Sequence, residues 1–282
     1  MARQSIRRSL LYVLAVASVA MGPDAARAAC GSVVTLPAHD GTTQNYSLAG
    51  DAKSAKAALV LLVGGGGHVA MDDGGCATKL KGNSLIRQRD AFHAGGMVTA
   101  LLDAPSDHHD KEGLGGFRIA SEHAEDIGKV IADVRAKTGL PVWLAGTSRG
   151  TISAVNAASR LSGAAAPDGV ILTSPLTARA ETARKAWAKH DVFMLDIPAV
   201  KVPLLVVVHA NDSCIRTPPP LGAKIVEEAG SARKQSVVVT GGPPWTPGDM
   251  STDCGGSAPH GFIQQWDEVA AGMVRFVKGG SY

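Results

Sequence analysis

An α/β fold, with a mostly parallel sheet covered by helices on both faces, is the class this sequence predicts. Apolar runs of buried-strand type alternate with helical patterns along most of the 282 residues. Several of these runs are continuously apolar, as strands buried on both sides must be. No internal repeat and no linker breaks the alternation.

Residues 33–36 and 44–48 read as a short N-terminal hairpin turning at Asp40-Gly41. The runs 57–63 and 97–102 are buried strands, and a loop rich in Gly, Asp and His follows over 103–119. The next helix has the clearest signal, with Ile127, Val130, Ile131 and Val134 at i, i+3, i+4 and i+7. Ser121 is its expected cap, Glu122, Glu125 and Asp126 open it, and Gly139 with Pro141 stops it. Residues 142–144, 170–173, the β-branched 202–208 and 235–240 supply further strands. The prolines 218–220 start a helix over 221–229, and the stretch 174–201 reads as about one helix plus turns. Residues 261–277 close the chain as a helix, with Val269, Met273, Phe276 and Val277 on one face.

The first 28 residues read as a secretory signal rather than as part of the fold. Arg3, Arg7 and Arg8 precede the apolar run 10–20, and Ala26-Arg27-Ala28 is a cleavage site of A-x-A type. Arg7-Arg8 faintly resembles a twin-arginine signal, and a lipoprotein site at Cys30 is disfavoured by Arg27. Without this segment four Arg and Asp24 are lost, leaving 24 basic and 24 acidic side chains. The remaining chain, 29–282, is then near neutral and large enough for one domain. No basic patch speaks for nucleic acid, and no apolar run in it spans a membrane. Four cysteines, Cys30, Cys76, Cys214 and Cys254, suggest disulfides in an exported chain, with free thiols as the alternative. No C-x-x-C or paired-His spacing suggests zinc.

Gly146-Thr147-Ser148-Arg149-Gly150 carries the chemistry. It is a G-x-S-x-G sequence between the strand at 142–144 and a helix over 151–161, a setting in which a sharp turn lifts the serine hydroxyl out of the sheet. With 33 glycines in the chain the pentapeptide alone is weak, so its partners must decide. A serine hydroxyl needs an imidazole to take its proton, and that imidazole needs an acceptor to fix its tautomer. Parallel sheets gather functional groups at the carboxyl ends of their strands. Asp212 lies just past the strand 202–208, and His260 ends the Gly/Pro-rich loop 241–259 after the last strand.

The order Ser148, Asp212, His260 resembles the α/β-hydrolase family over roughly residues 31–282. The resemblance implies a three-layer α/β-hydrolase fold, here with little or no lid. It implies a serine hydrolase that cleaves a carboxylic ester of a small-molecule acyl substrate without a cofactor or metal. Amidase, peptidase or acyltransferase chemistry uses the same parts, and a non-catalytic secreted binding protein could keep the scaffold. A redox or metal protein built on the Cys and His residues is a third class. The Arg149 amide and that of Gly65 or Gly66 become the expected oxyanion donors, although His68 follows the glycine run where the family has a histidine before it. A Cys214–Cys254 bridge would tie the acid loop to the base loop, leaving Cys30–Cys76 to pin the N-terminal segment beside the loop after the glycines.

Other conspicuous residues admit plainer readings. His108-His109-Asp110 tempts a metal reading, yet adjacent residues do not easily share one ion. His209 reads as a packed strand-end histidine, and Asp253 is the rival for the role given to Asp212. Asp103, Arg118 and Trp245 are candidate substrate contacts, with a turn-forming role as the alternative for Asp103 and a solvated one for Arg118; Trp187 could also overhang the site. Trp143 and Trp266 fit the core.

Overall fold

The structure, a computed structural model, describes residues 30–282. The expected signal and its cleavage site at 1–28 lie outside the described residues. In chain order the main elements are β1 (Ser32–Pro37), β2 (Thr43–Ala49), β3 (Ala57–Leu62), α1 (Ser84–Arg87), α2 (Arg89–Ala94), β4 (Met97–Leu102) and α3 (Ser121–Thr138). There follow β5 (Val142–Thr147), α4 (Gly150–Arg160), β6 (Gly169–Thr173), β7 (Leu204–His209), α5 (Pro220–Glu228), β8 (Lys234–Val239), α6 (Met250–Asp253) and α7 (Trp266–Val277).

The eight strands form one sheet in the order β1-β2-β4-β3-β5-β6-β7-β8. β1 and β2 pair antiparallel, β2 pairs antiparallel with β4, and every later pairing is parallel. The expected hairpin is present, turning through Asp40 and Gly41, both at positive φ. The central strands β3 to β7 are buried along their whole length. Alternate side chains feed two cores, which is why the runs are continuously apolar. Ala58, Val60 and Leu62 pack with Ile127, Val130 and Ile131 of α3 and with Ile152 and Val155 of α4. Leu59, Leu61 and Val63 pack with Leu85 and Phe92 of α1 and α2 and with Val269, Met273 and Phe276 of α7.

Some elements depart from expectation. Helix α3 begins at Ser121, but Ala120 is its cap residue and caps no amide; the Ser121 hydroxyl donates to Glu122 Oε2 at 3.0 Å instead. Residues 174–201 hold three short 3-10 turns and no α-helix. The final helix starts at Trp266, because Phe262 and Gln264 adopt left-handed backbone after the turn Pro259–Gly261. Helices α1 and α2, unexpected from sequence, are only 4 and 6 residues long and carry too few apolar repeats to show a period.

Two disulfides, Cys30–Cys76 and Cys214–Cys254, join these elements and point to an oxidising compartment. No helix among the described residues is long and apolar enough to cross a membrane. The first disulfide holds Cys30 at the head of β1, where Arg89 Nη2 also donates to the Cys30 carbonyl at 2.7 Å. Opening this bridge frees a segment whose ends lie 46 residues apart. Replacing Cys30 and Cys76 together by serine is expected to cost up to about 4 kcal/mol of stability, read from urea unfolding curves of the oxidised protein.

Candidate active site

Ser148 follows β5 directly and sits at φ +52°, a left-handed turn that a non-glycine residue adopts only when its surroundings impose it. Its amide donates to the Thr173 carbonyl at 3.0 Å, and its carbonyl accepts from the Thr151 amide at 3.0 Å and the Thr151 hydroxyl at 2.6 Å. The flanking glycines are steric necessities. A Cβ on Gly150 would lie 2.0 Å from the Leu62 carbonyl oxygen, and one on Gly146 would lie 2.7 Å from the Gly150 carbonyl oxygen. Strand β3 and helix α4 therefore approach more closely than any side chain allows.

Asp212 lies three residues beyond β7, and His260 sits in the 3-10 turn Pro259–Gly261; both are buried. His260 Nδ1 donates to Asp212 Oδ2 at 3.0 Å. The other Asp212 oxygen accepts from the Cys214 amide at 2.9 Å. The Thr217 hydroxyl donates to Asp212 Oδ2 at 2.8 Å and lies 3.1 Å from His260 Nδ1, within reach of the same ring N–H. Ser174, itself at φ +43°, donates from its hydroxyl to the His260 carbonyl at 2.7 Å and fixes the backbone of the turn. Neither Thr217 nor Ser174 stands in any pattern that marks it from sequence. Both act through contacts that only the fold creates.

Ser148 and His260 line one cleft of about 230 Å³ together with Gly64, Gly65, Leu80, Asn83 and Cys254. The Cys214–Cys254 disulfide thus joins the Asp212 turn to the wall of the cleft. Of the two glycines left open by the sequence, Gly65 lines the cleft, whereas Gly66 accepts the Leu114 amide with its carbonyl at 2.8 Å. The amides of Gly65, Gly66 and Arg149 all lack an acceptor among the described residues, so it is the cleft lining that sets Gly65 apart from Gly66. The Arg149 side chain turns away to lie over the Trp187 ring at 4.4 Å.

The three candidate substrate contacts do not line this cleft, and each is held elsewhere. Asp103 is buried and accepts from the amides of Val69, Met71 and Ala104 and from His68 Nδ1, so it shapes the loop after the glycines. Arg118 is buried behind the glycine run and donates to Ser153 Oγ and to the carbonyls of Val63 and Gly65. Burial, together with the nearby Arg149 charge, pushes its guanidinium down to about 9. Trp245 donates to the Ser213 hydroxyl at 3.0 Å and does not line the cleft. Asp253 accepts from the Gly248 amide within its own loop, and His209 is packed between Gln265 and the Asn211 amide.

No protein-family model matches this sequence, and no curated protein matches it. Solved structures do resemble the fold. A cold-adapted esterase from an Arctic intertidal metagenomic library aligns at a TM-score of 0.56 and 18% identity, over 89% of this chain and 93% of that one. The dienelactone hydrolase of Anabaena variabilis aligns at 0.58 and 14% identity, over 89% and 97%. Esterase 2 of Thermogutta terrifontis aligns at 0.55 and 16% identity, over 91% and 97%. At these identities the likeness is one of fold.

Two outcomes follow from the packing beneath the cleft. Gly150→Ala places a methyl group against main-chain oxygen and is expected to cost at least about 3 kcal/mol, seen as a lowered Tm or insoluble protein. His123, buried beside Arg118 and bonded to Ser153 Oγ at 2.8 Å, is held neutral far below the usual imidazole range, by burial first and the Arg118 charge second. The unfolded chain binds a proton there below about pH 6.5 and the folded chain does not, so stability is lost as pH falls through that value. Between about pH 7.5 and pH 5.5 the wild type should lose about 1 kcal/mol more than His123→Gln, measured by denaturant unfolding.

Proposed function

On this α/β-hydrolase fold, we propose that the protein is an exported serine hydrolase that cleaves carboxylic esters of small molecules. The observation that carries the reading is the His260 Nδ1 to Asp212 Oδ2 bond at 3.0 Å, in a histidine that lines the same cleft as Ser148. With Nδ1–H given to the carboxylate, Nε2 is left as the basic nitrogen. In the proposed reaction Ser148 Oγ attacks the ester carbonyl carbon while its proton passes to His260 Nε2. The negative charge moves to the carbonyl oxygen, where the amides of Arg149 and Gly65 are the proposed donors, each contributing roughly 3 kcal/mol to lowering the barrier. Collapse breaks the carbon–oxygen bond, and the departing alcohol takes the proton from His260. Water then attacks the acyl-enzyme with His260 again as base; the bond from the acyl carbon to Ser148 Oγ breaks, Ser148 takes the proton back from His260, and the carboxylic acid leaves.

Asp212 holds the ring in this tautomer and stabilises its charged form. Thr217 is a positioning residue, because its hydroxyl reaches the same carboxylate oxygen and ring nitrogen. The cleft of about 230 Å³ is below the usual range for small-molecule sites and suits a short acyl group. Export is supported by the two disulfides and by the signal-like residues at 1–28.

A fluorophosphonate probe should label wild-type protein at Ser148 and leave Ser148→Ala unlabelled. The same substitution should lower kcat on a short p-nitrophenyl ester by on the order of 10⁴–10⁶ while the protein stays folded. An unlabelled wild type, or a variant that keeps its turnover, would sink this reading.

A further inference from the structure

We propose that His39, Asp107 and His108 form a binding site for one divalent transition-metal cation of the zinc class. The site is independent of the proposed ester hydrolysis. Its residues come from two separate parts of the chain. His39 belongs to the turn between β1 and β2, and Asp107 and His108 belong to the 3-10 turn Ser106–His108 after β4. One ligand atom from each falls within 4.8 Å of the other two. His39 Nε2 is 3.0 Å from Asp107 Oδ2, and His108 Nε2 is 3.8 Å from the same oxygen. Tetrahedral zinc, with bonds of about 2.0–2.2 Å, sets its ligands about 3.3–3.5 Å apart, so each ring nitrogen needs to move relative to the Asp107 oxygen by about half an ångström or less.

The bonds behind the two rings decide which nitrogens are free to ligate. His39 Nδ1 meets the buried Asp126 carboxylate at 2.6 Å, and His108 Nδ1 meets the Gly113 carbonyl at 3.1 Å. Both partners can only accept, so both Nδ1 atoms carry a proton. His108 Nε2 is then left with a lone pair facing Asp107, whereas His39 Nε2 donates to Asp107 Oδ2 at 3.0 Å. A divalent cation takes the place of that one proton, which leaves to solvent, and is met by two ring nitrogens and a carboxylate. A carboxylate or carbonyl behind the distal ring nitrogen is also the arrangement that orients metal-bound imidazoles. Phe117 walls the site, with its ring centroid 4.5 Å from that of His39 and 4.4 Å from that of His108. The Asp107 side chain is 42% exposed and opens the site to solvent.

Adjacent histidines do not easily share one ion, and here they do not have to. His108 joins His39, while His109 stacks on His68 at 4.0 Å and reaches the Ala104 carbonyl with Nε2. The second group, His68, Asp103 and His109, is the poorer candidate, since Asp103 already accepts from three amides and one imidazole. In the third, Asp212, Cys214 and His260, the cysteine sulfur is committed to a disulfide. A cation at His39 would clamp the N-terminal hairpin to the loop 103–119, whose Leu114 amide bonds the Gly66 carbonyl.

The test is a calorimetric titration of tag-free, chelator-treated protein with zinc chloride at neutral pH. Wild type should take up one equivalent at this site. Asp107→Asn and His108→Gln should each weaken that uptake by about tenfold or more, with circular dichroism showing both folded, and His68→Gln should leave it unchanged. The inference is overturned by a wild type that binds no zinc. It is equally overturned by binding that survives both substitutions, or that is lost in His68→Gln instead.

Discussion

The approach of β3 to the first turn of α4 is the constraint on which the site depends. With the Leu62 carbonyl oxygen 2.0 Å from where a Gly150 Cβ would stand, the strand end and the helix start are in backbone contact. That contact brings Gly64 against Ser148, since a Cβ on Gly64 would lie 2.9 Å from the Ser148 Cβ. It also sets the sharp turn, because the chain must leave β5 and enter α4 without room for a wider loop. The serine, the glycine run and the cleft between them are consequences of one close passage. Behind it, Arg118 fills the space under the glycines with a bonded but uncompensated charge.

On the far side of the cleft the geometry is held by covalent and polar bracing rather than by core packing. Asp212 and His260 lie in connections, which are ordinarily the mobile parts of such a sheet. Here the Cys214–Cys254 disulfide, the Thr217 hydroxyl and the Ser174 hydroxyl fasten those connections to one another. The arrangement puts rigidity where the backbone itself supplies little.

Much of the fold was legible in the sequence for a physical reason. Strands β3 to β7 are buried on both faces, so each reads as an apolar run whatever its register. Helix α3 was legible because Ile127, Val130, Ile131 and Val134 repeat over about two turns and Gly139, at φ +69°, stops them. Short or irregular elements were not. α1 and α2 are too brief to show a period, and 174–201 folds into 3-10 turns that no apolar repeat announces. Within the site, Ser148, Asp212 and His260 could be nominated from their places after strands. Thr217 and Ser174 could not, because their roles arise from contacts across 43 and 86 positions. Arg118 and Asp103 misled for the complementary reason. A charged side chain in a loop looks like a ligand contact until burial shows what it already holds.

The left-handed backbone at residue 148 has an implication for how such a chain evolves. A residue with a Cβ at φ +52° gives up about 1–2 kcal/mol that glycine would keep. Selection for thermal robustness alone would therefore drift towards glycine at this position, and folding would improve as the hydroxyl vanished. A serine that persists there is retained against the interest of its own scaffold.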